Sequence, residues 1–85
     1  MKVSTHISWQ AYDTRIYVVD ERTDAFFTFE NVSVEIFQFV TQGRNQDEIV
    51  SCLFDKYGSQ VSFDVIENDV RDFIDIMKEK ELIQG

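Results

Sequence analysis

There is no proline in the 85-residue chain, only one cysteine, Cys52, and only three glycines, Gly43, Gly58 and Gly85. Without proline or a glycine-rich tract no interdomain linker is available, so residues 1–85 read as one domain. The lone cysteine excludes an internal disulfide framework and makes a reducing compartment the default. No apolar run approaches the roughly 20 residues needed to span a bilayer, and no basic stretch precedes an apolar one near the start. Neither a transmembrane helix nor a signal peptide is therefore expected, and the expected location is cytoplasmic. Positive charge is also scarce: eight Lys and Arg stand against sixteen Asp and Glu, a formal net charge of -8. A field of that sign repels phosphate backbones, and no Lys or Arg cluster overrides it locally, so neither nucleic acid nor a membrane is an expected partner.

Apolar residues are plentiful. They make up 44% of the chain, with eight Phe, three Tyr and one Trp, which supplies a real core and argues against general disorder. A chain of this size still buries only about 60% of the surface it exposes when unfolded, so modest stability is expected.

The chain is organised around Thr14 to Val40, where two short apolar strands and a polar turn give way to a helical period. Ahead of it, Val3 to Gln10 alternates: Val3, Thr5, Ile7 and Trp9 share one side, and Ser4, His6, Ser8 and Gln10 the other. This predicts a first strand, with Ala11 to Asp13 as the turn. Thr14 to Val19, rich in β-branched and aromatic residues, predicts a second strand. Asp20 to Asp24 is a polar connection of hairpin length, and Ala25 to Phe29 predicts a third strand.

Three helices are predicted next. Asn31 stands where a helix cap would, followed by Val32, Ile36, Phe37 and Val40 on one face, Phe39 widening it, and Gly43 as a left-handed terminator. Asn45 and Glu48 have the spacing of a capping box; Ile49, Val50, Leu53, Phe54 and Tyr57 form the stripe behind them, and Gly58 is the stop. Asp64 and Glu67 repeat that spacing before Ile66, Val70, Phe73, Ile74 and Met77, in a helix reaching about Lys80. Leu82 and Ile83 are expected to fold back onto the core. Strands followed by helices predict an α+β fold, a three-stranded antiparallel sheet with helices gathered on one side.

No catalytic pattern emerges. His6 has no second histidine or spaced cysteine to share a metal, and reads as a strand residue. Cys52 lies on the flank of an apolar stripe with no base supplied by any motif, so an inert, partly buried thiol is expected. The acid pairs Asp20–Glu21 and Asp47–Glu48 read as turn and cap chemistry. There is no glycine-rich phosphate loop. Neither an enzyme nor a cofactor is expected.

The run from Phe29 to Val40, the segment from Asp47 to Gly58 and above all Asn68 to Ile83 resemble the PqqD-like peptide chaperones, also called RiPP precursor peptide recognition elements. The most specific part is Asp69, Val70, Arg71 and Phe73, an acidic–Val–basic–x–Phe pattern followed by the pair Leu82–Ile83. The resemblance implies a winged-helix-like, non-catalytic domain that binds the leader of a ribosomally made precursor as an antiparallel strand. The bound leader would then be delivered to a maturation enzyme, a radical SAM enzyme, leader peptidase or cyclase, in natural product pathways such as those of lasso peptides. On this chain the docking edge would be Ala25, Phe26, Phe27, Thr28 and Phe29, and the opposite wall Ile66, Asp69, Val70 and Phe73. Two positions depart from the family pattern. Phe29–Glu30 stands where Leu-Asn is frequent, and Glu81 where Gly is usual, so Glu81 is expected to continue the helix rather than take positive φ.

Strand addition also has a physical basis of its own. An exposed edge is normally blunted by Lys, Pro or a bulge, and AFFTF contains neither residue. The plainer alternative is that Phe27, or Phe26 and Phe29 together, simply face the core and a chain terminus covers the edge. Asp69 is placed to engage a basic leader side chain or a backbone donor, against a plain solvated role; Asp72 and Asp75 are candidates for steering a cationic peptide. The open edge leaves monomer and edge-mediated dimer both open. Two further alternatives are a winged-helix DNA-binding regulator, disfavoured by acids at its would-be recognition helix and wing, and a small regulatory subunit docking on an enzyme.

Overall fold

The computed structural model describes every residue from Met1 to Gly85. The elements run β1 (Lys2–Val3), β2 (Ile7–Tyr12), β3 (Arg15–Asp20), β4 (Ala25–Glu30), α1 (Val32–Thr41), α2 (Gln46–Tyr57), α3 (Phe63–Glu79) and β5 (Ile83–Gln84). It is an α+β fold, with β2–β3–β4 as a three-stranded antiparallel sheet and the three helices following it.

The expected first strand is broken. Lys2–Val3 leaves the sheet and pairs instead with Ile83–Gln84 in a separate two-stranded ladder. Ser4 makes the break: buried, it donates its N–H to the Leu82 carbonyl (2.9 Å) while its own carbonyl accepts from Ile7 (3.1 Å). His6 consequently lies in a turn and not in a strand. The first hairpin turn is also tighter than Ala11 to Asp13. Tyr12 pairs with Arg15, leaving Asp13 and Thr14 as a two-residue loop, and Asp13 takes φ 41°, the left-handed geometry such loops require.

Register sorts the sheet into two faces. Trp9, Val18 and Phe27 form one cross-strand row and Ala11, Ile16 and Phe29 the next, both turned toward the helices. Ile16 and Val18 are buried there, while Ser8, Gln10 and Phe26 are exposed on the other side. Sixteen buried apolar residues form the core, the sheet row joined by Ile36, Phe37 and Val40 of α1, Ile49, Val50 and Leu53 of α2, and Ile66, Val70, Ile74 and Met77 of α3. On α1 the buried residue of the first turn is Val34, not Val32.

The helix starts divide according to how local their signals are. At α2 the capping box forms in full: the Asn45 carboxamide accepts from the Glu48 N–H (2.9 Å) and Glu48 accepts from the Asn45 N–H (3.0 Å). At α1 Asn31 makes no cap bond; its φ of 58° and ψ of -135° aim the side chain elsewhere. At α3 the cap is Ser62, accepting from Val65, and Asp64 falls inside the first turn rather than ahead of it. Gly43 ends α1 at φ 83°. Glu81, expected to extend α3, instead takes φ 59°. That turn returns the chain so that Leu82 and Ile83 enter the core.

Candidate functional site

β4 pairs with β3 on one side only, so its outer margin carries backbone N–H and C=O groups without strand partners. Neither terminus adds a strand to it, since β1 and β5 pair with each other in a separate ladder. Phe27 and Phe29 both lie on the helix-facing side and pack against the core, whereas Phe26 and Thr28 face outward and are exposed. The period of two separates Phe26 from Phe29, which rules out their facing the core together.

α3 runs beside this margin. Phe73 meets Phe29 edge-on with ring centroids 4.9 Å apart, and Lys80 Nζ sits 5.5 Å from the centre of the Phe27 ring. Phe29 in turn rests on Phe37, 5.5 Å between centroids, so the strand edge is tied to α1 and α3 alike. Ile66 and Val70, expected as groove wall, are core residues; Asp69 between them is exposed, and Phe73 is half-buried.

A cleft of about 650 Å³ lies between the β2–β3 turn, the first turns of α1 and the first half of α3. Its apolar lining includes Val32, Val34, Ile66 and Val70, with Asp13 and Asn31 among the polar groups. Glu35 and Asp69 also border it, but their situations differ. Glu35 accepts from the Tyr57 hydroxyl and pairs with Lys56 Nζ at 3.4 Å, and Tyr57 followed by Glu35 holds the lysine above its ordinary pKa. Asp69 has no ion pair or hydrogen bond, and Arg71 turns instead to Asn68 (2.8 Å) and Asp72 (3.8 Å). The expected lack of an Asp69–Arg71 pair follows from their spacing. Asp13, Asn31 and Val32 were not foreseen at this site. They are brought together with α3 only by the tertiary fold, and no local pattern marks them.

The far end of the groove is held by a polar network. Asp20, buried at the end of β3, accepts from the Arg22 N–H (2.9 Å), and the Arg22 guanidinium bridges Asp20 (3.4 Å) and Glu81 (3.0 Å). Burial alone would raise the Asp20 pKa, but the Arg22 N–H and guanidinium, aided by nearby His6, outweigh it and hold the carboxyl below its ordinary range. His6 Nε2 is buried 3.9 Å from Asp20 without a hydrogen-bond partner.

No group of three or more His, Cys, Asp or Glu side chains is placed to hold a metal ion, and Cys52 is half-buried with its Sγ 3.6 Å from Arg44. No helix is long and apolar enough to cross a membrane.

Comparison with known proteins agrees with this fold. The family model for coenzyme PQQ synthesis protein D (PqqD) matches residues 15–83. TbiB1, solved in complex with the TbiA(beta) leader peptide, superposes with a TM-score of 0.92 at 27% identity, covering 100% of this chain and 96% of that one. A lasso peptide synthetase B1, complexed with the leader peptide, superposes with a TM-score of 0.86 at 18% identity, covering 99% and 96%; at that identity it speaks to the fold alone. No curated protein matches the sequence significantly.

Proposed function

Since the chain belongs to the PqqD family, we propose that it binds the leader region of a ribosomally made precursor peptide and presents it to a maturation enzyme. The guest would add to β4 as an antiparallel strand, in the groove between that edge and α3. The observation that carries the reading is the unshielded margin of β4 beside Phe73, in a fold shared across its full length with a protein solved holding a leader peptide. Backbone hydrogen bonds along Ala25 to Phe29 supply affinity and register, and the neighbouring groove reads alternate side chains. Ile66 and Val70 act from beneath by fixing the position of α3, while Asp69 and Phe73 border the guest.

The role requires no bond chemistry of this chain. By holding a substrate near the active site of its enzyme, whether radical SAM enzyme, leader peptidase or cyclase, it raises the effective concentration of the reacting segment. The domain would span residues 1–85 and work in the cytoplasm. The acidic balance of -8 disfavours the DNA-binding alternative.

NMR titration with candidate leaders and scrambled controls tests this reading. Backbone amide perturbations centred on Ala25 to Phe29 are expected with the cognate leader. Perturbations confined to α2 would defeat strand addition.

A further inference from the structure

We propose that the α2–α3 corner carrying Phe54 and Phe63 is a docking face for a second polypeptide, which seats an aromatic or aliphatic side chain on the two rings and meets the surrounding carboxylates with Lys or Arg. The inference goes beyond leader binding, and the face stays free whether or not β4 holds a guest.

The rings come first. Phe54, in the last turn of α2, and Phe63, the first residue of α3, meet edge-on with centroids 5.4 Å apart. Neither belongs to the core or packs against it, and they are 38% and 44% exposed. Gly58, in the turn between the helices, leaves the space that the Phe54 ring takes: a Cβ there would lie 3.0 Å from its Cε1. Fastening the two helices explains the contact, but not why both phenylalanines show their remaining surface to water. Exposed apolar groups rimmed by polar residues are what protein–protein contacts anchor on.

Charge then sets the chemistry of the partner. Asp55 and Asp64 directly follow the two rings in sequence, Asp47 lies two turns before Phe54 on the same side of α2, and Glu67 one turn after Phe63. All four are exposed, and none enters an ion pair. The cations nearest in sequence are engaged elsewhere, Lys56 with Glu35, and Arg71 with Asn68 and Asp72. Unanswered carboxylates around an apolar pair favour a guest of the opposite charge.

The face is separate from the groove. Neither ring lines the cleft that Asp69 borders. Glu67 and Asp69 lie about 200° apart around α3, so Glu67 turns away from that cleft. A guest on β4 and a partner on this corner can therefore be held at once, as handing a substrate on requires.

Selection from a displayed library of random peptides on the full chain, cleared first of peptides that bind its Phe54→Ser/Phe63→Ser variant, tests the assignment. Expected are peptides that join an aromatic or aliphatic anchor to an adjoining Lys or Arg. In NMR titration their amide perturbations should cluster on Phe54 to Glu67 and spare Ala25 to Phe29. Affinity for the serine variant should fall about tenfold or more. A second variant, Asp64→Asn/Glu67→Gln, keeps both rings and should weaken binding about two- to fivefold at low salt, the difference shrinking at high salt. Peptides that survive clearing but lack a basic residue, or that are indifferent to the second variant and to salt, overturn the proposal. So does a selection that enriches nothing, or one in which every enriched peptide binds both chains alike. If those last peptides perturb Ala25 to Phe29, strand addition stands without the second face.

Discussion

The rings of Phe73 and Phe29 meet edge to face, joining the last helix to the open strand near its C-terminal end. Each ring has a second role, Phe29 resting on Phe37 and Phe73 packing against the core, so neither is a free surface aromatic. Edge-to-face pairs contribute about 0.5–1.5 kcal/mol beyond their buried area. A double-mutant cycle of Phe29→Ala and Phe73→Ala in urea unfolding should return a coupling energy in that range. Strictly additive losses would mean that the contact does not join strand and helix.

Two asparagines that look alike in sequence should respond oppositely. Asn45 completes a capping box, so Asn45→Ala is expected to cost about 1 kcal/mol and to lower Tm by roughly 4–8 °C. Asn31 makes no cap bond and sits at φ 58°, where glycine is easier, so Asn31→Gly should leave stability unchanged or raise it by up to about 1 kcal/mol. Thermal melts of the two variants decide it. A loss at Asn31 equal to that at Asn45 would restore it as a cap.

That contrast shows which parts of the fold are legible in the sequence. A capping box is two side chains three residues apart, and its partners are visible in any window that contains one of them. The strand AFFTF and most of the three apolar helix stripes are legible for the same reason, since period is local; burial is not, and Val32 and Phe54, which fit the period, are exposed. The β1–β5 ladder is not. Two-residue strands carry no periodic signal, and their partners lie at opposite ends of the chain. At the site, the β4 edge and the α3 face could be named because each is one contiguous element. The cleft could not, because the turn at Asp13, the entry to α1 and the first half of α3 converge only in the folded state.

Glu81 holds positive φ, a geometry that glycine takes more easily, and its carboxylate reaches Arg22. Backbone strain and an exposed ion pair therefore oppose one another at one residue. Glu81→Ala loses the pair and keeps the strain; Glu81→Gly loses the pair and relieves the strain. The glycine variant should exceed the alanine variant in unfolding free energy by about 1 kcal/mol. Equal stabilities would show that the left-handed turn carries no cost.

Asp72 and Asp75 are exposed on α3, away from the core stripe. If they steer a cationic leader, Asp72→Lys or Asp75→Lys should slow association about twofold or more at low salt and leave dissociation nearly unchanged. Stopped-flow traces at two ionic strengths make the comparison. An on-rate indifferent to both reversal and salt would remove steering from the account.

Asp20 ties the β3–β4 turn to the end of α3 through Arg22, so its ionisation bears on the shape of the groove's far end. Its folded pKa lies below the ordinary value of 3.8, because the Arg22 N–H and guanidinium, with His6, overcome the opposing effect of burial. At pH values above 3.8 both folded and unfolded chains carry the charge, and the stabilisation is fully present. As pH falls below that value the unfolded chain takes up the proton first, which draws the equilibrium toward unfolding until the folded carboxyl is also neutral. Asp20→Asn keeps the size of the side chain but loses its charge. Its deficit relative to wild type should therefore be greatest near neutrality and should shrink as pH drops through and below about 4, as measured by urea unfolding across that interval. A deficit that stays constant down to the acid limit would assign the role of Asp20 to its shape and its hydrogen bond from Arg22, and not to its charge.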